Sequence, residues 1–163
     1  MTTRTRDTKL YEAKHGEIDS RTFILFIQTA DAVLKYADKA LNKAGLSLIK
    51  QMVLQLLQAH GGTLTPSEIA SLTLRERHDI TTLLQRLDKS KLIELRINPT
   101  DRRSKYVTIT DKGKQALKFS APTSRSIVKQ VMSSIPDSKT EVLKELLTTL
   151  RLNAYNGLRI KQK

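Results

Sequence analysis

Asp101, Arg102 and Arg103 stand together in the middle of NPTDRRSKYVTIT, residues 98–110. Pro99 and Asp101 favour a turn, and the alternating run that follows favours a strand, so the two arginines sit at the tip of a β-hairpin. A guanidinium is a planar fork of donors that never deprotonates. It suits phosphate recognition or the negative floor of a narrow groove, and it is a poor choice for bond-making. Asp101, two residues before Arg103, can pair with that guanidinium across the turn and aim it, leaving Arg102 free for phosphate. Hairpin tips are also solvated, and charge keeps them soluble. The rest of the chain decides between that use and contact with a polyanion.

The charge balance favours the polyanion. Lys and Arg number 29 against 16 acids, a net of +13, and such an excess in a small protein points to an anionic partner. Residues 75–118, which hold the hairpin, carry a net +6, and residues 119–163 a net +5. Other chemistry is thinly supplied. There is no Cys, which excludes a disulfide framework, thiolate zinc sites and thiol redox sensing. His15, His60 and His78 are scattered without ligand-spaced partners, so no metal is expected. No nucleophile elbow, phosphate-cradling glycine loop or acid pair occurs, so neither an enzyme nor a cofactor is expected. The N-terminus has no apolar signal region and no run is long enough to span a bilayer, so a cytoplasmic location is expected.

The elements that must position these cations can be read from periodicity. From Asp19, apolar residues Phe23, Ile24, Phe26, Ile27, Ala30, Val33, Leu34, Ala37 and Leu41 recur at three- and four-residue steps, with Gly45 as the stop. The spacing predicts a second helix capped by Ser47, with Leu48, Ile49, Met52, Val53, Leu56 and Leu57 inward. Thr65, Pro66 and Glu68 form a capping-box signature for a short third helix. Residues 76–90 then show a buried stripe of Ile80, Leu83, Leu84 and Leu87. Arg77, His78, Thr81, Thr82, Gln85 and Arg86 lie off it. Strands are expected in IELRIN and SKYVTIT around the turn. Thr110 and Asp111 cap a further helix that Pro122 must kink or end. Ser138 and Glu141 signal a last helix, with Val142, Leu143, Leu146, Leu147, Leu150 and Leu152 as its apolar set. A short helix near Leu10 to Ala13 is the one element expected in an otherwise flexible arm.

Two short helices joined by a tight turn and followed at once by a hairpin describe a winged helix-turn-helix. An α-helix with one polar face fits the major groove of B-DNA, and a flanking hairpin reaches the neighbouring minor groove, whose negative potential attracts Arg. An ordinary solvated helix would carry more Glu and Lys at four-residue spacing than Thr81, Thr82 and Gln85 allow.

Residues 64–113, with the capped short helix, ITTLLQRLDKSKLI and the wing DRRSKYVTITDKG, resemble the DNA-binding region of the MarR family of transcriptional regulators. The resemblance implies a mainly α fold with a small β-hairpin wing, flanked by long N- and C-terminal dimerisation helices. It implies a homodimer that binds double-stranded DNA at a pseudo-palindromic operator, as a repressor. Carried over by motif position, Arg75, Arg77, His78, Thr81, Thr82, Gln85 and Arg86 become recognition-helix contacts. Asp101, Arg102, Arg103 and Lys105 become wing contacts, with Arg103 in the minor groove. A small aromatic or anionic ligand is also implied. Phe23, Phe26, Tyr36 and Phe119 are candidate linings, although core packing is their plainer use. Two departures from the family pattern stand out: Lys91 and Leu74 occupy positions where Gly is usual. The division that follows is an arm over 1–18, a dimerisation helix over 19–45, the winged domain over 46–113 and dimerisation helices over 114–163. The apolar stripes on 23–41 and 142–152 exceed what one winged domain covers, which independently favours pairing of two chains. A basic architectural protein that coats DNA without sequence preference, or a winged helix used for protein contacts, would have the same composition.

Overall fold

The computed structural model of the chain describes residues 20–97 and 105–158. In order it contains α1 (Ser20–Lys43), α2 (Leu48–Ala59), β1 (Thr63–Leu64), α3 (Pro66–Thr73), α4 (Arg77–Lys89), β2 (Ile93–Ile97), β3 (Lys105–Ile109), α5 (Asp111–Met132) and α6 (Asp137–Gly157). These fall into two units, residues 1–125 and 126–163, and α5 runs from the first into the second. The N-terminal arm with its expected short helix, and the turn residues Asp101, Arg102 and Arg103, lie outside the described residues.

In the first unit the core is a single cluster built mostly of leucine, isoleucine and valine. Val53, Leu54 and Leu57 come from α2, Ile69 from α3, Ile80, Leu84 and Leu87 from α4, and Ile93, Val107 and Ile109 from the sheet. The sheet has the order β1-β3-β2 and is antiparallel throughout, with Leu95 opposite Val107 and Leu64 also opposite Val107 on the other side. The strand β1 was not expected. It is only two residues long, too short for any alternation to register.

Three helix exits use one backbone device, a left-handed residue whose N–H and that of its successor bond back to the last turn. After α1 the residue is Gly45, with Gly45 N to Asn42 O at 3.0 Å and Leu46 N to Leu41 O at 3.1 Å. After α3 it is Leu74 at φ 53°, and after α4 it is Lys91 at φ 60°. Lys91 N donates to Asp88 O at 2.7 Å and Leu92 N to Leu87 O at 3.0 Å. Both expected departures from glycine are therefore made by side-chain-bearing residues in a conformation that costs about 1 kcal/mol. At Lys91 the exit is clamped, because Thr110 Oγ1 donates to the Lys91 carbonyl at 2.7 Å. Thr110 also donates its N–H to Leu92 O at 3.2 Å and accepts from Gly113 N at 3.1 Å. One threonine thus joins the end of α4, the end of β3 and the start of α5.

Helix starts met expectation unevenly. Thr65 and Glu68 form the full capping box, with Glu68 N to Thr65 Oγ1 at 3.2 Å and Thr65 N to Glu68 Oε2 at 2.7 Å. Ser47 stands at the N-cap of α2 but makes no side-chain cap bond. The carboxylate of Asp38, a stronger acceptor, reaches across from α1 to take Leu48 N at 2.9 Å. On α2, Met52 is exposed and Leu54 buried, so the inward stripe is rotated from the expected one. The expected box of Ser138 and Glu141 does not form. The last helix begins at Asp137, after Pro136, and Glu141 pairs with Lys144 at 3.2 Å. Pro122 does not end α5, which continues through it. Pro122 and Lys118 are both exposed, so the carbonyl left without its N–H can take water instead.

Lys91→Gly is expected to raise the stability of the chain by up to about 1 kcal/mol, by relieving a left-handed exposed residue, as read by urea unfolding. Gly113 has the opposite sensitivity. A Cβ there would lie 2.2 Å from Leu92 O and 2.9 Å from Ile109 Cγ1. Gly113→Ala is expected to cost about 3 kcal/mol or more, since the clash is with backbone, measured in the same way.

Candidate nucleic-acid interface

The helix α4 is apolar on one side and polar on the other. Ile80 and Leu87 are fully buried and Leu84 is 2% exposed, while Arg77, His78, Thr81, Thr82, Gln85 and Arg86 are all exposed. Residues four apart lie above one another on a helix. The outward side therefore presents two rows, Arg77-Thr81-Gln85 and His78-Thr82-Arg86. Arg75, in the turn before α4, is exposed as well. Every described residue assigned from sequence to the recognition element is solvent-facing on the same element or on the turn leading into it.

Several of these side chains have defined orientations. Arg77 Nη2 donates to Ser67 Oγ on α3 at 2.9 Å, which ties the guanidinium across the two short helices. Thr81 Oγ1 donates to Arg77 O at 2.9 Å and Thr82 Oγ1 to His78 O at 3.2 Å. His78 Nε2 lies 3.2 Å from Asp79 Oδ1, both well exposed.

The wing is held to α4 at its base. Asp88 Oδ1 accepts from Leu95 N at 3.3 Å, and Lys112 Nζ donates to Ser90 O at 2.9 Å, beside the negative end of the helix. Lys105 is exposed at the start of β3, opposite Ile97. On β2, Arg96 Nη2 donates to Glu94 Oε2 at 2.8 Å. That hydrogen bond and charge hold the Glu94 carboxyl below the usual carboxylate range and raise Arg96 above the ordinary guanidinium value. The pair is largely exposed, so it orients the arginine more than it stabilises the fold.

Sequence reasoning missed Ser67, Asp88 and Arg96 as parts of this surface. An i,i+2 acid-arginine pair on one strand face was visible for Glu94 and Arg96. The Ser67 contact joins residues ten apart in chain and had no local signal. The aromatic set proposed for a ligand does not form a closed lining in the single chain: Phe23 is 63% exposed, Phe119 72% and Tyr36 37%. Among the described residues no group of His, Asp or Glu could hold a metal, and no helix is long and apolar enough to cross a membrane.

Comparison with known proteins agrees with this geometry. The MarR family model matches residues 44–104. The HTH-type transcriptional regulator MhqR of Bacillus subtilis (strain 168) is 27% identical over 134 residues, covering 82% of this chain and 92% of that protein. A MarR family transcriptional regulator from Streptomyces coelicolor, solved in complex with DNA, superposes with a TM-score of 0.77 at 21% identity, covering 85% of this chain and 90% of its own. An organohalide-sensing transcriptional regulator in its 2,4-dichlorophenol-bound form also gives 0.77 at 21% identity, covering 93% and 89%.

Proposed function

We propose that this chain is a member of the MarR family of transcriptional regulators and acts in the cytoplasm as a homodimeric repressor at a pseudo-palindromic operator. The observation that carries the reading is the one-sided α4. Its back is locked into the core by Ile80, Leu84 and Leu87, while its front offers Arg, Thr and Gln without burying them. Such a helix can enter a major groove without unfolding anything. The net +13 then supplies phosphate contacts and a steep dependence on salt. Arg75, Arg77, Thr81, Thr82, Gln85 and Arg86 meet the major groove. Arg103, aimed by Asp101, enters the minor groove, with Arg102 and Lys105 on phosphate.

Two exposed apolar faces support the dimer. Phe23, Ile27 and Leu34 are 48–63% exposed on one side of α1, and Val142, Leu146, Leu147 and Leu150 are 43–58% exposed on α6. A second copy would cover such faces, which isolated chains rarely leave wet. Twofold symmetry would also set two copies of α4 on half-sites about one helical turn apart.

A small aromatic ligand bearing a hydroxyl fits as the signal. Gln51, buried in α2, donates through Nε2 to Ser124 Oγ on α5 at 2.6 Å, and its Oε1 is buried without a partner among the described residues. An orphaned buried acceptor calls for a donor, and a phenolic hydroxyl is one. The dichlorophenol bound by the organohalide-sensing neighbour is of that class.

A titration of selected operator DNA tests the main reading. Arg103→Ala is expected to weaken binding by about 1–3 kcal/mol with the dimer intact. Wild-type affinity in that variant would contradict the wing assignment, and equal affinity for unrelated DNA would favour an architectural role. For the ligand, 2,4-dichlorophenol is expected to raise the melting temperature of the native chain and not of Gln51→Leu. No shift in the native chain would contradict the assignment.

A further inference from the structure

Thr81 and Thr82 stand in the middle of the outward rows of α4, and both hydroxyls are turned back onto the helix. Each donates to the carbonyl four residues earlier, Arg77 O at 2.9 Å and His78 O at 3.2 Å. A threonine has two groups on Cβ, and in a helix its χ1 settles into one of two wells. When Oγ1 is engaged with the preceding turn, Cγ2 takes the place that leads away from it. The polar-looking centre of the recognition surface therefore offers carbon to whatever approaches, framed by Arg77, Gln85, His78 and Arg86 one turn to either side.

We infer that Thr81 and Thr82 read thymine, through contact of their γ-methyl groups with the C5-methyl that thymine displays in the major groove. This rests on the DNA-binding reading above and makes its chemistry specific. A hydroxyl already donating to a carbonyl can still accept a hydrogen bond from the amino group of adenine or cytosine. The rival is therefore a polar reading by the same two residues. Both readings keep the bonds to Arg77 O and His78 O, so substitution has to separate them. Gln85, one turn beyond Thr81, is the side chain suited to paired bonds with adenine. The central base pairs of each half-site should then be A·T.

Substitutions that separate the two groups provide the test. Valine keeps the methyl and removes the hydroxyl, and serine does the reverse. Val, Ser and Thr have similar helix propensities, and both positions are exposed, so all variants should fold. The full-length chain, and its Thr81→Val, Thr81→Ser, Thr82→Val and Thr82→Ser variants, are titrated with an operator selected from random DNA. A second set of duplexes carries deoxyuridine, which lacks the methyl, at each thymine in turn. Valine variants, which keep the methyl, are expected to bind more tightly than the serine variant at the same position. Serine variants should bind about fourfold more weakly per methyl lost, the worth of one buried methyl group. Deoxyuridine at the contacted thymine should weaken the native chain by a similar factor and leave the matching serine variant unaffected. Native affinity in the serine variants with loss in the valine variants would overturn the inference in favour of the hydroxyl. So would indifference of the native chain to deoxyuridine at every position. If the native chain selects no defined site at all, the DNA-binding reading fails first and takes this one with it. A defined site with methyl indifference defeats this inference alone.

Discussion

The burial of one side of α4 is the constraint on which the rest depends. Ile80, Leu84 and Leu87 are almost wholly removed from water, and each such side chain contributes roughly 1.5–3 kcal/mol through its transfer from water. With the back face fixed this way, the front face is free to be chosen for recognition. Arg77, His78, Gln85 and Arg86 contribute nothing to the core and leave it undisturbed. A helix held by packing on every side could not be withdrawn into a groove. One held by charge pairs alone would move with salt.

The hairpin inherits its position from the end of that helix. Lys91 turns the chain through a left-handed conformation, Thr110 clamps the Lys91 carbonyl, and Asp88 takes the Leu95 N–H. Gly113 lets the first turn of α5 pass directly over Leu92 O, where any side chain would collide. The base of the wing is thus built from hydrogen bonds to α4 and α5. These bonds fix the base of the hairpin relative to the end of α4.

Much of this could be read in the sequence because the signals are local. The Thr65-Pro66-Glu68 start, the three- and four-residue steps of α1 and α4, and the alternation in IELRIN and SKYVTIT each report their own element. The exits at Leu74 and Lys91 were marked only through the family resemblance, which has glycine at both positions; both residues adopt the left-handed conformation. What escaped was set by contacts across the chain. Asp38 displaced Ser47 as the cap of α2 from ten residues away, and β1 exists only because β3 offers it an edge. Solvent tolerated Pro122 inside α5, which no pattern of apolar residues could reveal. The Ser138 signature was overridden by a helix that starts at Asp137, where an acid in the first turn already satisfies the dipole. The candidate ligand residues were the least legible, because aromatic residues on amphipathic helices serve cores, interfaces and pockets alike.

Chemical protection of operator DNA by the full-length chain tests the central claim most directly, since dimethyl sulfate reports guanine N7 in the major groove and adenine N3 in the minor groove separately. The expected result is two patches of major-groove protection, centred about one helical turn apart, each flanked by protection of minor-groove adenines where the wings lie. Protection spread evenly along the duplex, or confined to one groove, would contradict a grooved helix partnered by a grooved arginine.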